Sequence, residues 1–116
     1  MIAVISENYL NYGQEQVFKD TTASILPLIE QIDGFISVER FVSLSEPGKI
    51  LSLSFWRDEE AVAALRHLEA HRSAEVQGRA RLLKDFRVRV AAVVRDYGMF
   101  DREQAPLDSR QFHSEV

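Results

Sequence analysis

The stretch "FISVERFVSLSEPGKILSLSFWRDEEAVAAL", residues 35–65, decides the fold. Two runs within it, 35–44 and 50–56, alternate apolar and other residues, which is typical of strands with two different faces. The "SEPGK" between them favours a turn, so the two runs are predicted to form a β-hairpin. Asp58 follows at a helix N-cap position, before acids that suit a first helical turn. The stretch therefore predicts strand, turn, strand and helix.

The flanking segments complete the pattern. Residues 1–10 alternate like a first strand, and apolar residues recur at helical spacing over 14–32. A fourth, valine-rich strand is predicted over 86–97. A weaker helical segment is predicted over 71–84, separated from the preceding helix by a break within "LEAHR". The order β-α-β-β-α-β is that of a ferredoxin-like α+β fold with an antiparallel sheet and helices on one face.

Both faces of the predicted sheet carry apolar residues. Ile50 and Trp56 lie on one side of the third strand, and Leu51, Leu53 and Phe55 lie on the other. Helices cover only one face, so the other face predicts a homodimer built by packing two sheets together.

The chain is predicted to divide into a folded domain and a tail. We expect the domain to occupy residues 1–98. The C-terminal tail, 99–116, has no periodic pattern, and we expect it to pack on the partner subunit.

Composition excludes several classes of function. The chain has no cysteine, so thiolate catalysis and cysteine-ligated metals are excluded. Its net charge is −4 without a separate basic cluster, which argues against nucleic acid as a partner. There is no signal-peptide pattern and no apolar stretch of membrane-spanning length, so we expect a soluble cytoplasmic protein with no membrane partner.

Three residues at helical spacing, His67, His71 and Glu75, could share one helix face and bind a metal. No further ligand accompanies them, and an ordinary exposed helix face is the favoured interpretation, so no metal site is predicted. The break within "LEAHR" would instead place His71 at a helix start near the end of the third strand. There it could act as a general base, or simply cap the helix or form a surface ion pair.

Arg40 shares its strand face with apolar residues, so it must find a carboxylate or line a polar cavity. Trp56 is expected to be a core or interface aromatic. Asn8, near the end of the first strand, could bind turn backbone.

The segment "IDGFISVERFVSLSEPGKILSLSFWRDEEAVAALRHLEAHRSA", residues 32–74, resembles the antibiotic biosynthesis monooxygenase domain family. The similar features are a Gly-Phe after the first helix, a Pro-Gly hairpin, a tryptophan closing the third strand, and acids with alanine opening the next helix. The resemblance implies a dimeric α/β barrel whose substrate lies between helices and sheet. Members of the family include cofactor-free oxygenases of aromatic polyketides or quinols, and haem-degrading oxygenases.

The haem-degrading branch implies an asparagine on the first strand, which Asn8 matches, with a tryptophan and a histidine in the helical region. Those last two positions align with Leu65 and Glu75. In the polyketide branch the strand-ending tryptophan is matched by Trp56, while the asparagine and tyrosine positions hold Ser52 and Val62. The chain thus departs from both patterns.

The leading hypothesis is a cofactor-independent monooxygenase that oxidises an electron-rich aromatic or quinol with O2. His71 would be the base, Asn8 a donor to the developing oxyanion, and Trp56 a wall of the pocket. The expected substrate-binding residues are Arg40, Ser52, Val62 and Leu65. The alternatives are a non-catalytic dimer that binds a small aromatic or apolar ligand, and a haem-degrading oxygenase.

Overall fold

The computed structural model describes residues 1–75 and 82–113, with the backbone alone described for 73–75 and 111–113. The elements are β1 (Ile2–Leu10), α1 (Glu15–Glu30), β2 (Phe35–Val42), β3 (Lys49–Trp56), α2 (Glu59–Glu75), β4 (Leu83–Ala92) and α3 (Leu107–His113). The strands form one antiparallel sheet in the order β2-β3-β1-β4. This confirms the predicted ferredoxin-like α+β fold.

The core lies between one face of the sheet and the two long helices. Its buried cluster is centred on Trp56, whose side chain is fully buried, and includes Val4, Ile29, Ala61, Val62 and Leu65. A second, smaller cluster of Leu10, Phe18 and Ile50 closes the other end of this layer. Val4, Ile50 and Trp56 face the helices because alternate side chains of a strand share one face. The prediction that Ile50 and Trp56 lie on the same side of β3 is therefore confirmed.

The junction between β3 and α2 is held by local polar contacts. Asp58 Oδ1 accepts a hydrogen bond from the Ala61 backbone nitrogen at 2.9 Å, which confirms the predicted N-cap. Arg57 lies 3.0 Å from carboxylate oxygens of both Asp33 and Asp58. Its guanidinium lowers the pKa of Asp33, and the bond from Ala61 together with Arg57 lowers that of Asp58. These contacts connect the start of α2 to the α1–β2 turn.

Gly34 occupies a position in that turn where a side chain does not fit. Its φ is +97°, and a Cβ atom built there would lie 2.8 Å from the Ala61 Cβ. We expect Gly34→Ala to lower the free energy of unfolding by about 2–4 kcal/mol, from backbone strain and close contact together. Gly13→Ala is the matched control, because Gly13 has a φ of +77° but a Cβ atom built there would meet nothing within 4 Å. Its expected loss is about 1–2 kcal/mol in urea denaturation, and equal losses would contradict the role of the Ala61 contact.

The structure corrects the predicted second helical region. α2 runs without interruption from Glu59 to Glu75, so the break predicted within "LEAHR" is wrong and His71 does not start a helix. Glutamate, alanine, histidine and arginine can all continue a helix, and no Gly or Pro lies between Glu59 and Gly78. The predicted helix over 71–84 is also wrong at its C-terminal end, since Leu83 and Lys84 belong to β4. Residues 76–81 lie outside the described part.

A further boundary differs from the prediction, since β4 spans Leu83–Ala92 rather than 86–97. The C-terminal segment, in which the sequence shows no periodic pattern, contains α3. The short helix has Asp108 in its first turn, where an acid is favourable. Among the described residues, no helix is long and apolar enough to span a membrane.

Candidate active site

A cavity of about 900 Å³ lies between the helix-facing side of the sheet and helices α1 and α2. This volume falls within the range of small-molecule sites. All four strands contribute to its floor, and most of its lining is apolar. The lining residues on β4 remain about half exposed, with Phe86 at 62%, Val88 at 48% and Val90 at 47%. β4 is therefore the least covered side of the cavity.

The floor carries polar side chains in an otherwise apolar layer. Two adjacent rows across the sheet, in strand order, are Arg40–Ser52–Ser6–Val88 and Val38–Ser54–Val4–Val90. In β3 the serines face the helices, while the leucines point to the other side. Ser54 accepts a hydrogen bond from Trp56, whereas Ser6 and Ser52 add hydroxyls to the cavity lining. The floor therefore offers polar groups to a molecule bound in the cavity.

Trp56 is fixed at one end of this floor. Its Nε1 donates to Ser54 Oγ at 2.9 Å, and its ring meets that of Phe35 edge to face with centroids 5.4 Å apart. Both contacts restrict rotation of the indole. Trp56 lines the cavity, as expected for a pocket wall.

Asn8 lines the cavity, but its amide protons are already used. Nδ2 donates to the backbone oxygens of Ser6 and Ile50, each at 3.2 Å. Both partners are carbonyl oxygens and can only accept, so the amide orientation is determined by the network. Asn8 offers its Oδ1 acceptor, and the expected donor role would require one of these bonds to break.

Two buried polar atoms stand out among the described residues. Arg40 Nε and Thr21 Oγ1 have no hydrogen-bond partner there, and both residues line the cavity. Thr22 differs from its neighbour, because its hydroxyl donates to the backbone oxygens of Phe18 and Lys19 within its own helix. Buried polar atoms in native proteins are nearly always paired with protein or ordered water, so these two atoms are candidates for contact with water or a bound polar group.

Glu69 on α2 faces the same cavity as Arg40. Glu69 is exposed as a whole residue, yet its carboxyl lies where burial raises its pKa, and the positive charge of Arg40 only partly opposes this. Burial likewise lowers the pKa of Arg40, which Glu69 partly opposes. The cavity thus combines a carboxylate of increased basicity with a guanidinium, in a largely apolar setting.

The charged residues around the cavity are mainly basic. Among the lining residues that the structure describes, four cationic side chains, Arg40, Arg66, Arg72 and Lys84, accompany two carboxylates, Glu69 and Asp85, which gives a balance of +2 for this described part. The whole chain carries −4. Arg72 Nη2 also donates to Ser24 Oγ at 3.2 Å, connecting α2 to α1 beside the cavity.

Six of the seven predicted site residues line the cavity: Asn8, Trp56, Arg40, Ser52, Val62 and Leu65. His71 is not among the lining residues, and its side chain is exposed. Its role as a base stays a prediction without support from this geometry. The side chain of Glu75 lies outside the described ones, and so does the shared face predicted for His67, His71 and Glu75. No group of three His, Asp or Glu side chains in the described ranges could hold a metal ion.

Sequence reasoning missed Thr21 and Glu69 as site residues. A signal existed for Glu69, because it follows Val62 by seven positions and Leu65 by four, which aligns it with these cavity-lining residues along α2. A carboxylate at such a position needs either a partner or a function.

Comparison with known proteins gives a consistent result. The sequence model of the family described as "Antibiotic biosynthesis monooxygenase" matches residues 1–77. A protein named "Jasmonate monooxygenase ABM" from Pyricularia oryzae is 42% identical over 93 residues, which cover 80% of this chain but 43% of that protein. This chain therefore spans less than half of that relative. The uncharacterised protein YqjZ from Bacillus subtilis is 32% identical over 94 residues, covering 80% of this chain and 75% of YqjZ.

Solved structures agree in fold. Rv0793 from Mycobacterium tuberculosis superimposes with a TM-score of 0.69 at 18% identity, covering 84% of this chain and 98% of that one. At this level of identity the likeness concerns the fold alone.

Proposed function

Because the chain belongs to the antibiotic biosynthesis monooxygenase family, we propose that it is a monooxygenase that oxidises an electron-rich phenol or quinol. The reaction takes place in the cavity between helices and sheet, with O2 as oxidant and without a metal or flavin. The observation that carries the proposal is the position of Glu69, a carboxylate of raised pKa in a largely apolar cavity that also holds Arg40.

The chemistry can proceed without an external reductant. A phenol with a free para position reacts with O2 to give a para-quinone and water. One oxygen atom enters the ring, the other leaves as water, and the substrate supplies all the electrons that O2 takes up. The protein's task is to remove the phenolic proton, because the phenolate transfers an electron to O2 far more readily than the phenol does.

Glu69 is the residue that we assign to this proton transfer. A general base works best when it is ionised yet still basic, and burial moves Glu69 in that direction. Trp56, Val62 and Leu65 form apolar walls that hold the ring. Asn8 presents its Oδ1 acceptor, which suits a substrate hydroxyl better than an oxyanion.

The test is aerobic incubation with a panel of phenols and quinols. Oxygen consumption should match quinone formation, followed by absorbance, in a one-to-one ratio, and should persist after chelator treatment. Jasmonate joins the panel because of the named Pyricularia relative, with an added reductant since hydroxylating a saturated carbon needs external electrons. Ligand binding without oxygen consumption across the panel would favour a non-catalytic binding protein.

Haem degradation is not favoured, since Leu65 and Glu75 replace the tryptophan and the histidine that the resemblance to the haem-degrading branch implies.

The same proposal includes a homodimer. The sheet face turned away from the helices carries Ile5, Leu51, Leu53 and Phe55, all half-buried in the single chain, and Phe41 at 41% exposure. A second copy packed on this face would cover them, with residues 99–116 reaching the partner.

We expect light scattering at micromolar concentration to give twice the mass of one chain. Leu53→Asp should produce monomers, because a carboxylate in the middle of the interface would be buried without a partner. The exposed Leu44→Asp, in the β2–β3 turn, is the control and should remain dimeric. A wild-type protein with the mass of a single chain would contradict the dimer.

A further inference from the structure

We infer that the substrate carries a carboxylate, which Arg40 binds at the floor of the cavity. The inference rests on the proposed function for the identity of the reaction, but it concerns binding and can be tested without turnover. It defines the substrate class as a small, mostly apolar monocarboxylate whose ring or chain extends from Arg40 along the apolar walls.

The first argument is the unmet requirement of Arg40 itself. A guanidinium stays charged and has only donors, so its buried Nε–H requires an acceptor. No such acceptor lies within the described residues, and none of their carboxylates forms an ion pair with Arg40. Glu69 influences Arg40 through its charge but does not contact it as an ion-pair partner. Leaving a buried charged donor unpaired is costly, so a ligand acceptor is the natural partner.

The second argument is the geometry of the floor. Arg40 is directly opposite Ser52, which is in turn opposite Ser6, so a guanidinium and two hydroxyls follow one another across three strands. Partners on adjacent antiparallel strands have Cα atoms about 4.5–5.5 Å apart. A carboxylate bound by Arg40 on this floor would therefore have a hydroxyl-bearing residue as its neighbour. The planar fork of arginine suits two carboxylate oxygens, which explains arginine rather than lysine here.

The third argument is charge. The described lining residues carry a balance of +2 in a chain whose net charge is −4. A positive cavity in an acidic protein attracts anions selectively and disfavours cations. The remaining lining is apolar, so a single carboxylate on an apolar body fits better than a sugar phosphate or another highly polar anion.

The experiment compares acids with their methyl esters, which differ in charge but barely in shape. Three pairs are titrated by calorimetry under argon, so that no turnover occurs: phenylacetate, 1-hydroxy-2-naphthoate and decanoate, each with its ester. At least one acid should bind about 10- to 100-fold more tightly than its ester, as expected for a charge-assisted hydrogen-bonded pair. Equal affinities within every pair, or binding of no acid at millimolar concentration, would overturn the inference.

Two variants test whether Arg40 is the residue that binds the carboxylate. Arg40→Gln should abolish the preference for the acid while leaving ester affinity unchanged. Unchanged ester affinity also reports that the variant is folded with its cavity intact. Arg66→Gln is the control for general attraction by the other basic residues around the cavity. It should keep the preference for the acid within about 3-fold. An Arg40→Gln protein that retains the full preference would show that the carboxylate binds elsewhere. If acids bind as expected but no phenol consumes oxygen, the proposed function fails and this inference stands.

Discussion

Glu69→Gln is expected to lower kcat by about 10²- to 10⁴-fold for whichever phenol the protein oxidises, the usual contribution of a general base. Glutamine keeps the shape of glutamate but cannot accept the phenolic proton. The dissociation constant of the substrate, measured by calorimetry under argon, should change little. Oxygen uptake under steady-state conditions, read with a Clark electrode, gives kcat.

Two controls accompany this variant. Glu59→Gln changes an exposed carboxylate in the first turn of the same helix, outside the cavity lining, and should leave kcat unchanged. His71→Ala tests the base that the sequence suggested. Normal kcat in Glu69→Gln together with a large loss in His71→Ala would transfer the base role from Glu69 to His71.

The pH profile gives an independent check on Glu69. Its pKa is raised, so the ionised, active form appears only above the ordinary range of a glutamate, and kcat/KM should rise with pH through that raised pKa. Arg40 lowers the pKa of Glu69, so Arg40→Gln should move the rising limb to higher pH. The measurement uses ester substrates, which carry no carboxylate, so that loss of Arg40 does not also weaken substrate binding. If the rising limb stays at the same pH in Arg40→Gln, the charge of Arg40 does not act on the catalytic base.

Trp56→Ala is expected to lower the free energy of unfolding by about 3–5 kcal/mol, the usual cost of removing a large buried aromatic. The indole is fully buried at the centre of the main core cluster, contacts Phe35, and donates to Ser54. Its removal enlarges the cavity and leaves the Ser54 hydroxyl without its donor. Circular dichroism in a urea titration measures the loss, since the variant has no tryptophan for fluorescence.

Trp56→Phe serves as the matched variant. It keeps an aromatic ring against Phe35 but loses the hydrogen bond to Ser54, so its cost should be clearly smaller than that of Trp56→Ala. A Trp56→Ala protein within about 1 kcal/mol of the wild type would mean that the surrounding core collapses into the space. Trp56 would then not be the centre of the core.

Much of the fold could be predicted because its determinants are local. Alternation in residues 50–56, the Pro-Gly turn and the Asp58 cap each act within a few residues, so strand, turn and helix start were all expected correctly. The errors arose where local preference was weak. The "LEAHR" segment can continue a helix or end one, and the packing of α2 on the sheet decides in favour of continuation.

The sequence by itself determined the fold class, the two apolar faces of the sheet, and the strand faces on which Trp56 and Arg40 lie. These follow from periodicity, which each strand and helix carries within its own residues. Only the tertiary structure decided which ionisable groups share the cavity. The strand order β2-β3-β1-β4 aligns Arg40 with Ser52 and Ser6, and the uninterrupted α2 directs Glu69, rather than His71, toward them. Burial and proximity set the basicity of Glu69 and the unmet bond of Arg40, and both are properties of residues distant in sequence that only folding brings together.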